Sequence, residues 1–287
     1  MNVGFIGMGN MGKPMALNLV TAGHNVIGYD VSNENIDGIK SARSAAEGAK
    51  DVQVVITMLP DGEILKKVAE EILPIMTPGS ILLDCSTVDV KSTLKVANMA
   101  SKFAVGSLDA PVSGGILGAE AGTLTFMVGG NETDFNKTQE LFDIMGQKSV
   151  LCGPAGSGQA VKICNNMILG ATMIATCEAF ALADKLNLSR EKMFEVVSTS
   201  SGYSWSMNAY CPAPGVGPTS PSDNNYEPGF SAALMLKDLK LSQQAAKSVG
   251  ARTPIGKKAT ELYNDFVQKE GGNIDFSGML RALEKKG

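Results

Sequence analysis

Residues 2–23 read NVGFIGMGNMGKPMALNLVTAG. Residues 2–6 form a short apolar strand that runs directly into Gly7-Met8-Gly9-Asn10-Met11-Gly12. Met15, Ala16, Leu19 and Val20 then recur at helical spacing until Gly23 stops them. Strand, Gly-x-Gly-x-x-Gly and helix in immediate succession open a dinucleotide-binding unit. The first glycine permits the tight turn, the second lets backbone approach a pyrophosphate, and the third lets helix and strand pack closely, with the phosphates at the helix amino end. Gly7, Met8, Gly9, Asn10, Met11 and Gly12 are therefore candidate cofactor-binding residues. The glycine pattern alone carries little weight; the strand before it and the helix after it decide the reading.

A second apolar strand over residues 25–29 ends in Asp30, 21 residues past Gly9, close to the spacing of about 20 at which an acid meets the adenosine ribose. A carboxylate there accepts from the 2′-hydroxyl and repels a 2′-phosphate, and no Arg or Lys between Val31 and Ile39 offsets it. The cofactor expected is NAD rather than NADP; the competing role for Asp30 is a helix cap or turn residue. Strand and helix go on alternating. Residues 52–59 are a near-continuous apolar run, as in a strand buried on both faces, and Pro60-Asp61-Gly62 turns the chain into a helix over about 63–73. Strands follow at 80–84, 105–110, 124–129 and 149–152, with helices near 89–103 and 132–142. Ligands of such sheets lie beyond the carboxyl ends of the strands, where residues 58–60, 86–88 and 110–115 all fall. In the last of these, Asp109-Ala110-Pro111-Val112-Ser113-Gly114-Gly115, a serine and paired glycines offer amides and a hydroxyl to a small carboxylate. The bland reading is a glycine-rich hairpin without function.

The stretch 156–186, GSGQAVKICNNMILGATMIATCEAFALADKL, contains no proline and predicts one helix of about 45 Å. Its apolar residues surround it, which predicts burial on every side. Lys162, Asn165 and Asn166 share one face near its start. Lys162 is either a desolvated acid/base beside amide groups or a lysine that snorkels out at the helix start. After a helix capped by Ser189 comes a long irregular segment, residues 200–230, with five prolines, the sole tryptophan Trp205, and Tyr203, Tyr210 and Tyr226. Aromatic area argues against disorder, so Trp205 and Phe230 are candidate members of a pocket wall or lid. From Ser231 a further helix carries Lys237, by spacing a solvated surface residue. Closing helices near 260–267 and 277–283 end in a charged tail, Glu284-Lys285-Lys286.

Composition excludes several classes. The chain has 287 residues, 44% hydrophobic and 19% charged, with a net charge of -4. It can bury a large core and has no electrostatic case for nucleic acid or an anionic membrane. Five scattered cysteines without a CxxC pair suit reduced thiols. The only histidine, His24, lies in Gly-His-Asn between helix and strand and reads as a surface turn residue, so histidine-based triads and zinc sites are set aside, and no metal is expected. A strand at the very start and no uncharged run of membrane-spanning length point to a soluble, unexported protein, cytoplasmic in a bacterium or else a processed organellar form.

GFIGMGNMG, DAPVSGG, the set Gly156, Gly158, Lys162 and Asn166, and Lys237-Asp238, in this order across most of the chain, resemble the β-hydroxyacid dehydrogenase family. The resemblance implies an α/β chain: an N-terminal Rossmann-type doubly wound sheet over residues 1–157, a long connecting helix over 158–186, and an all-α C-terminal domain over 158–287, assembled as a homodimer or homotetramer. It also implies that Lys162 is catalytic, that Ser113, Gly114, Gly115 and Asn166 hold a small hydroxy acid substrate, and that Leu59, Pro60, Thr87 and Lys237 line the NAD site. Within the family the 200–230 segment, with its WS, proline run and NNY, is similar to members that oxidise 3-hydroxyisobutyrate to methylmalonate semialdehyde in valine degradation. Lys162 would then take the hydroxyl proton as a neutral amine, a form that burial and the positive nicotinamide both favour. The alternatives are a reductase of glyoxylate, tartronate semialdehyde or succinic semialdehyde on the same residues, and a noncatalytic dinucleotide-binding scaffold. A phosphogluconate dehydrogenase fits less well, since this chain has Asn165 where that group has a histidine.

Overall fold

The computed structural model describes residues 1–32 and 35–284; Lys285 and Lys286 of the expected tail lie outside the described residues. The chain divides into two compact units, residues 1–162 and 163–287. The division falls inside a single helix, a few residues past the boundary expected after residue 157.

The first unit alternates strand and helix: β1 (Asn2–Ile6), α1 (Gly12–Thr21), β2 (Asn25–Tyr29), β3 (Lys40–Ser41), α2 (Ala45–Gly48), β4 (Val54–Thr57), α3 (Gly62–Ile72), β5 (Ile81–Asp84), α4 (Val90–Lys102), β6 (Gly106–Asp109), β7 (Val112–Ser113), α5 (Gly115–Glu120), β8 (Leu124–Gly129), α6 (Glu132–Met145), β9 (Gly146–Gly153) and the start of α7 (Ser157–Lys185). The sheet order is β3-β2-β1-β4-β5-β6-β8-β7, with β9 on β8. From β3 to β6 all neighbours are parallel; β8 runs antiparallel to β6 and β7. Successive strands lead away from β1 in both directions, so the order reverses between β1 and β4, the place where an open α/β sheet leaves a crevice. The strand side chains show why it is wound on both faces. Val3, Phe5, Val54, Ile56, Ile81 and Leu83 enter one cluster with Met15, Leu19 and Phe142 of α1 and α6. Ile6, Val55 and Leu82 enter another with Leu65, Ile72 and Val96 of α3 and α4. Each such fully buried side chain contributes about 1.5–3 kcal/mol.

His24 departs from the expected surface position. It is buried, with Nδ1 2.9 Å from the Met1 amine and Nε2 3.7 Å from Glu140 of α6. The turn is exposed in sequence character only; the first residue and α6 cover the ring.

The second unit is helical: the remainder of α7, then α8 (Arg190–Val197), α9 (Trp205–Asn208), α10 (Ala232–Val249), α11 (Pro254–Glu270) and α12 (Met279–Glu284). Met173, Ile174, Cys177 and Phe180 of α7 pack with Met235 and Leu239 of α10 and Tyr263 and Phe266 of α11. Burial on every side of α7 is not what the chain shows. One stripe enters the core, while Ile168 and Leu182 are 61% and 60% exposed. By length and composition alone α7 would cross a membrane; its buried stripe belongs to the helical core instead.

The 200–230 segment is ordered by hydrogen bonds. Asp275 is fully buried and accepts from the Tyr210 hydroxyl (2.8 Å) and the amides of Gly229 and Phe230 (3.1 and 3.0 Å). Tyr226 donates to the Pro212 carbonyl (2.9 Å), and a 3-10 turn over Pro221–Asn224 is closed by a capping box between Ser220 and Asp223.

Candidate active site

The glycine loop follows β1 at the point where the sheet order reverses. Gly7 has φ 91°, and a Cβ there would lie 2.3 Å from the Met58 carbonyl oxygen. At Gly12 a Cβ would lie 2.0 Å from the Gly7 carbonyl oxygen, so the helix seats directly on the loop. At Gly9 a Cβ would meet nothing within 4 Å. Its lack of a side chain serves no packing need of this chain, which suits close approach of a pyrophosphate. The start of α1 is consistent with that: Met11 stands at the N-cap without a side-chain bond, whereas Ser44, Asp61, Asp89 and Asn131 cap α2, α3, α4 and α6. No acidic side chain stands in its first turn, so the helix dipole there favours an anion. Asn10 is exposed beside it.

Asp30 ends β2 next to this loop. One carboxylate oxygen accepts from the Met8 amide (2.7 Å) and the other from the Ser32 amide (2.9 Å). Burial works to raise this carboxyl, but the hydrogen bonds from Ser32 and Met8 outweigh it and hold the group below its ordinary value. It is therefore an anion at neutral pH, able to accept from a ribose hydroxyl and hostile to a phosphate.

Thr57, Asp84 and Asp109 stand in register at the carboxyl ends of β4, β5 and β6. Asp84 accepts from the Thr57 hydroxyl (2.8 Å) and the Ser86 amide (3.1 Å) through one oxygen; the other is buried with no hydrogen-bond partner among the described residues. Desolvation dominates and pushes its carboxyl up to about 6. Asp109 is raised too by burial, against bonds from the Gly156 (2.7 Å) and Gln159 (2.9 Å) amides that it caps at the start of α7. Gly158 permits this seating, for a Cβ there would lie 2.2 Å from the Met127 carbonyl.

The three loops expected beyond the strand ends are joined. The Leu59 amide donates to the Ser86 hydroxyl (2.8 Å), and Pro60 follows it, exposed. Gln159 of α7 donates to the Ser86 carbonyl (2.7 Å) and accepts from the Val88 amide (3.1 Å), so half-buried Thr87 is held from both sides. One turn along, Lys162 is only 8% exposed, and its Nζ donates to the Val112 carbonyl (2.7 Å), immediately before Ser113. Gly114 and Gly115 have φ 139° and 64°, and Gly115 opens α5. Lys162, Ser113, Gly114 and Gly115 thus share one neighbourhood with Leu59 and Thr87 in the first unit.

The other expected residues belong to the second unit. Asn166, one turn past Lys162 on α7, is buried; its Nδ2 donates to Asp238 (2.5 Å) and its Oδ1 accepts from Asn165 (2.9 Å). Half-buried Lys237 has its Nζ 3.6 Å from the other Asp238 oxygen. Trp205 is half exposed and stacks on Tyr210 at 4.9 Å, and Phe230 packs edge-on against Phe276 at 5.6 Å. Reading the sequence misses Gln159, the Ser86 hydroxyl and the buried Asp84. Gln159 alone leaves a sign, as a polar residue three before Lys162 on the same helical face.

A family model described as the NAD binding domain of 6-phosphogluconate dehydrogenase matches residues 2–153, and one described as NAD-binding of NADP-dependent 3-hydroxyisobutyrate dehydrogenase matches residues 156–283. The chain belongs to the β-hydroxyacid dehydrogenase family. The solved structure of Mycobacterium tuberculosis 3-hydroxyisobutyrate dehydrogenase with L-serine is 42% identical, with a TM-score of 0.94 over 98% of both chains. The mitochondrial 3-hydroxyisobutyrate dehydrogenase of Mus musculus is 41% identical over 99% of this chain and 87% of its own. The NAD-dependent L-serine dehydrogenase of Pseudomonas aeruginosa is 40% identical over 98% and 97%. This β-hydroxyacid dehydrogenase is accordingly an NAD-dependent hydroxyacid oxidoreductase with a Rossmann N-terminal region. Asp30, an anion at the end of β2, lies outside the residues matched by the second family model, and a carboxylate at that place is compatible with NAD and unfavourable to a 2′-phosphate.

Proposed function

We propose that the enzyme oxidises 3-hydroxyisobutyrate to methylmalonate semialdehyde, a step of valine degradation, with Lys162 as the general base. The observation that carries this reading is a buried lysine whose Nζ reaches the 112–115 loop at the carboxyl ends of the strands. Residues 1–157 serve as the NAD-binding domain, through Gly7 to Gly12, Asp30, Leu59, Pro60 and Thr87, with Lys237 added from the helical domain over 158–287. Bound NAD supplies the acceptor for the hydride that leaves the carbinol carbon. The amides and hydroxyl of Ser113, Gly114 and Gly115 bind the substrate carboxylate. Lys162, as the uncharged amine, accepts the hydroxyl proton, and as the ammonium returns it in the reverse direction. Asn166 bonds the substrate oxygen; its amide nitrogen is already turned to Asp238, which fixes the side-chain orientation. Trp205 and Phe230 bound the substrate end. The enzyme works as a homodimer or homotetramer, in which contact between chains would cover Ile168 and Leu182, and it resides in a bacterial cytoplasm or, processed, in an organelle.

The names of two relatives favour a second reading, L-serine as substrate, since serine also carries a 3-hydroxyl beside a carboxylate. Absorbance at 340 nm with NAD against 3-hydroxyisobutyrate, L-serine, glycerate and 4-hydroxybutyrate separates the two. Lys162→Ala is expected to lower kcat by at least the ~10²- to 10⁴-fold of a lost general base while NAD binding persists. Undiminished turnover in that variant removes Lys162 from the mechanism.

A further inference from the structure

Gln159 has no solvent exposure, yet it occupies the first turn of a largely apolar helix. Its side-chain amide pairs with the backbone of the 86–88 loop as a neighbouring strand would, donating to the Ser86 carbonyl at 2.7 Å and accepting from the Val88 amide at 3.1 Å. Only one orientation of the amide satisfies both partners, because turning it over would set oxygen against oxygen and nitrogen against N–H. Its own backbone N–H is held by Asp109 at 2.9 Å. Ser86 continues the connection, its hydroxyl accepting from the Leu59 amide at 2.8 Å. Through one side chain, the loops bearing Leu59 and Thr87 are tied to the helical turn that bears Lys162, three residues on.

We propose that Gln159 is a positioning residue that fixes the cofactor-side loop over residues 86–88 relative to Lys162. The proposal rests on the reading of Lys162 as proton acceptor and of Thr87 as part of the NAD site. The geometry makes a distinctive demand: the group at this position must donate toward Ser86 and accept from Val88 at once. Gln159→Glu keeps the shape and the acceptor but, when ionised, sets a carboxylate oxygen against the Ser86 carbonyl. Once protonated, the introduced carboxyl can donate again. Asp84 and Asp109 belong to the same hydrogen-bonded network and, as neighbouring carboxyls, extend that protonation to higher pH.

The test measures kcat for wild type, Gln159→Glu and Gln159→Leu from pH 5.5 to 9, with thermal unfolding of each, and follows Val88 amide exchange by NMR in the cofactor-free protein. The kcat of Gln159→Glu relative to wild type is expected to be on the order of 10²-fold low at pH 9, as for a catalytic group displaced by about 1 Å. It should recover at least tenfold toward pH 5.5, whereas Gln159→Leu stays low throughout. A purely structural glutamine would lower the unfolding temperature without this pH-dependent ratio, and a flat ratio in Gln159→Glu overturns the proposal. Wild type that turns over no hydroxy acid or aldehyde acid would sink the functional reading instead. The exchange measurement still decides in that case: Val88 exchange must accelerate in Gln159→Leu, and an unchanged rate overturns the locking role whatever the activity.

Discussion

Replacing Asp84 with asparagine should change how the first unit's stability depends on pH. Asp84 is fully buried at the end of β5, and burial lifts its carboxyl from 3.8 to about 6. A carboxyl raised on folding binds its proton more tightly in the native state than in the unfolded chain. Stability therefore falls as pH rises from about 4 to about 6 and is flat above, the reverse of a salt-bridged aspartate. With each tenfold gain in proton affinity equivalent to about 1.4 kcal/mol, this rise corresponds to about 3 kcal/mol of stability lost across that window. Asparagine keeps an oxygen for the Thr57 hydroxyl and the Ser86 amide but cannot ionise. Its new NH₂ replaces the oxygen that has no partner among the described residues, a constant offset of about 1–3 kcal/mol at every pH. The assay is urea unfolding of both proteins at intervals between pH 4 and 8, followed through the sheet's far-ultraviolet signal. Subtracting the curves cancels the other carboxyls and leaves the offset as a flat baseline, so the slope of the difference reports Asp84, whose shift is dominated by burial with a minor contribution from Asp109. The wild type should lose about 3 kcal/mol relative to Asp84→Asn between pH 4 and 7. A difference flat to within about 1 kcal/mol would show that Asp84 titrates normally and that the strand-end carboxyls are better solvated than their burial implies.

Two further substitutions test the cofactor and the ordered segment. Asp30→Ser removes the anion beside Met8, and kcat/KM for NAD should fall about tenfold while NADP improves, narrowing the preference; unchanged selectivity would deny Asp30 the ribose. Asp275→Ala strips the acceptor from Tyr210, Gly229, Phe230 and Ser277, and should cost about 3–5 kcal/mol and expose the 200–230 segment to limited proteolysis; an unchanged cleavage pattern would place the segment's order elsewhere.

What the sequence discloses and what it conceals follow from the range of the forces involved. The cofactor loop is legible because its demands are local. Gly7 needs a positive φ, Gly12 needs contact with the turn five residues back, and Asp30 needs only to end the next strand. Lys162 is legible because a lysine in apolar surroundings is costly and asks for a purpose. Long-range closure hides the remainder. His24 has the sequence of a surface turn and is buried only because Met1 and Glu140 close over it. The apolar residues around α7 suggest burial on all sides, since composition cannot say how many faces a neighbouring core will reach; Met173 and Phe180 are inside while Ile168 is not. The aromatics of residues 200–230 argue for order, but not for what supplies it: the acceptor is Asp275, 45 residues after Phe230. Gln159 is the sharpest case. Its partners are 73 and 71 residues away, so no spacing reveals them. What the chain does reveal is an amide where an apolar side chain would stabilise the first turn of the helix better. A polar group held there at a desolvation cost must be matched by specific partners, and those partners prove to be the backbone that carries Thr87.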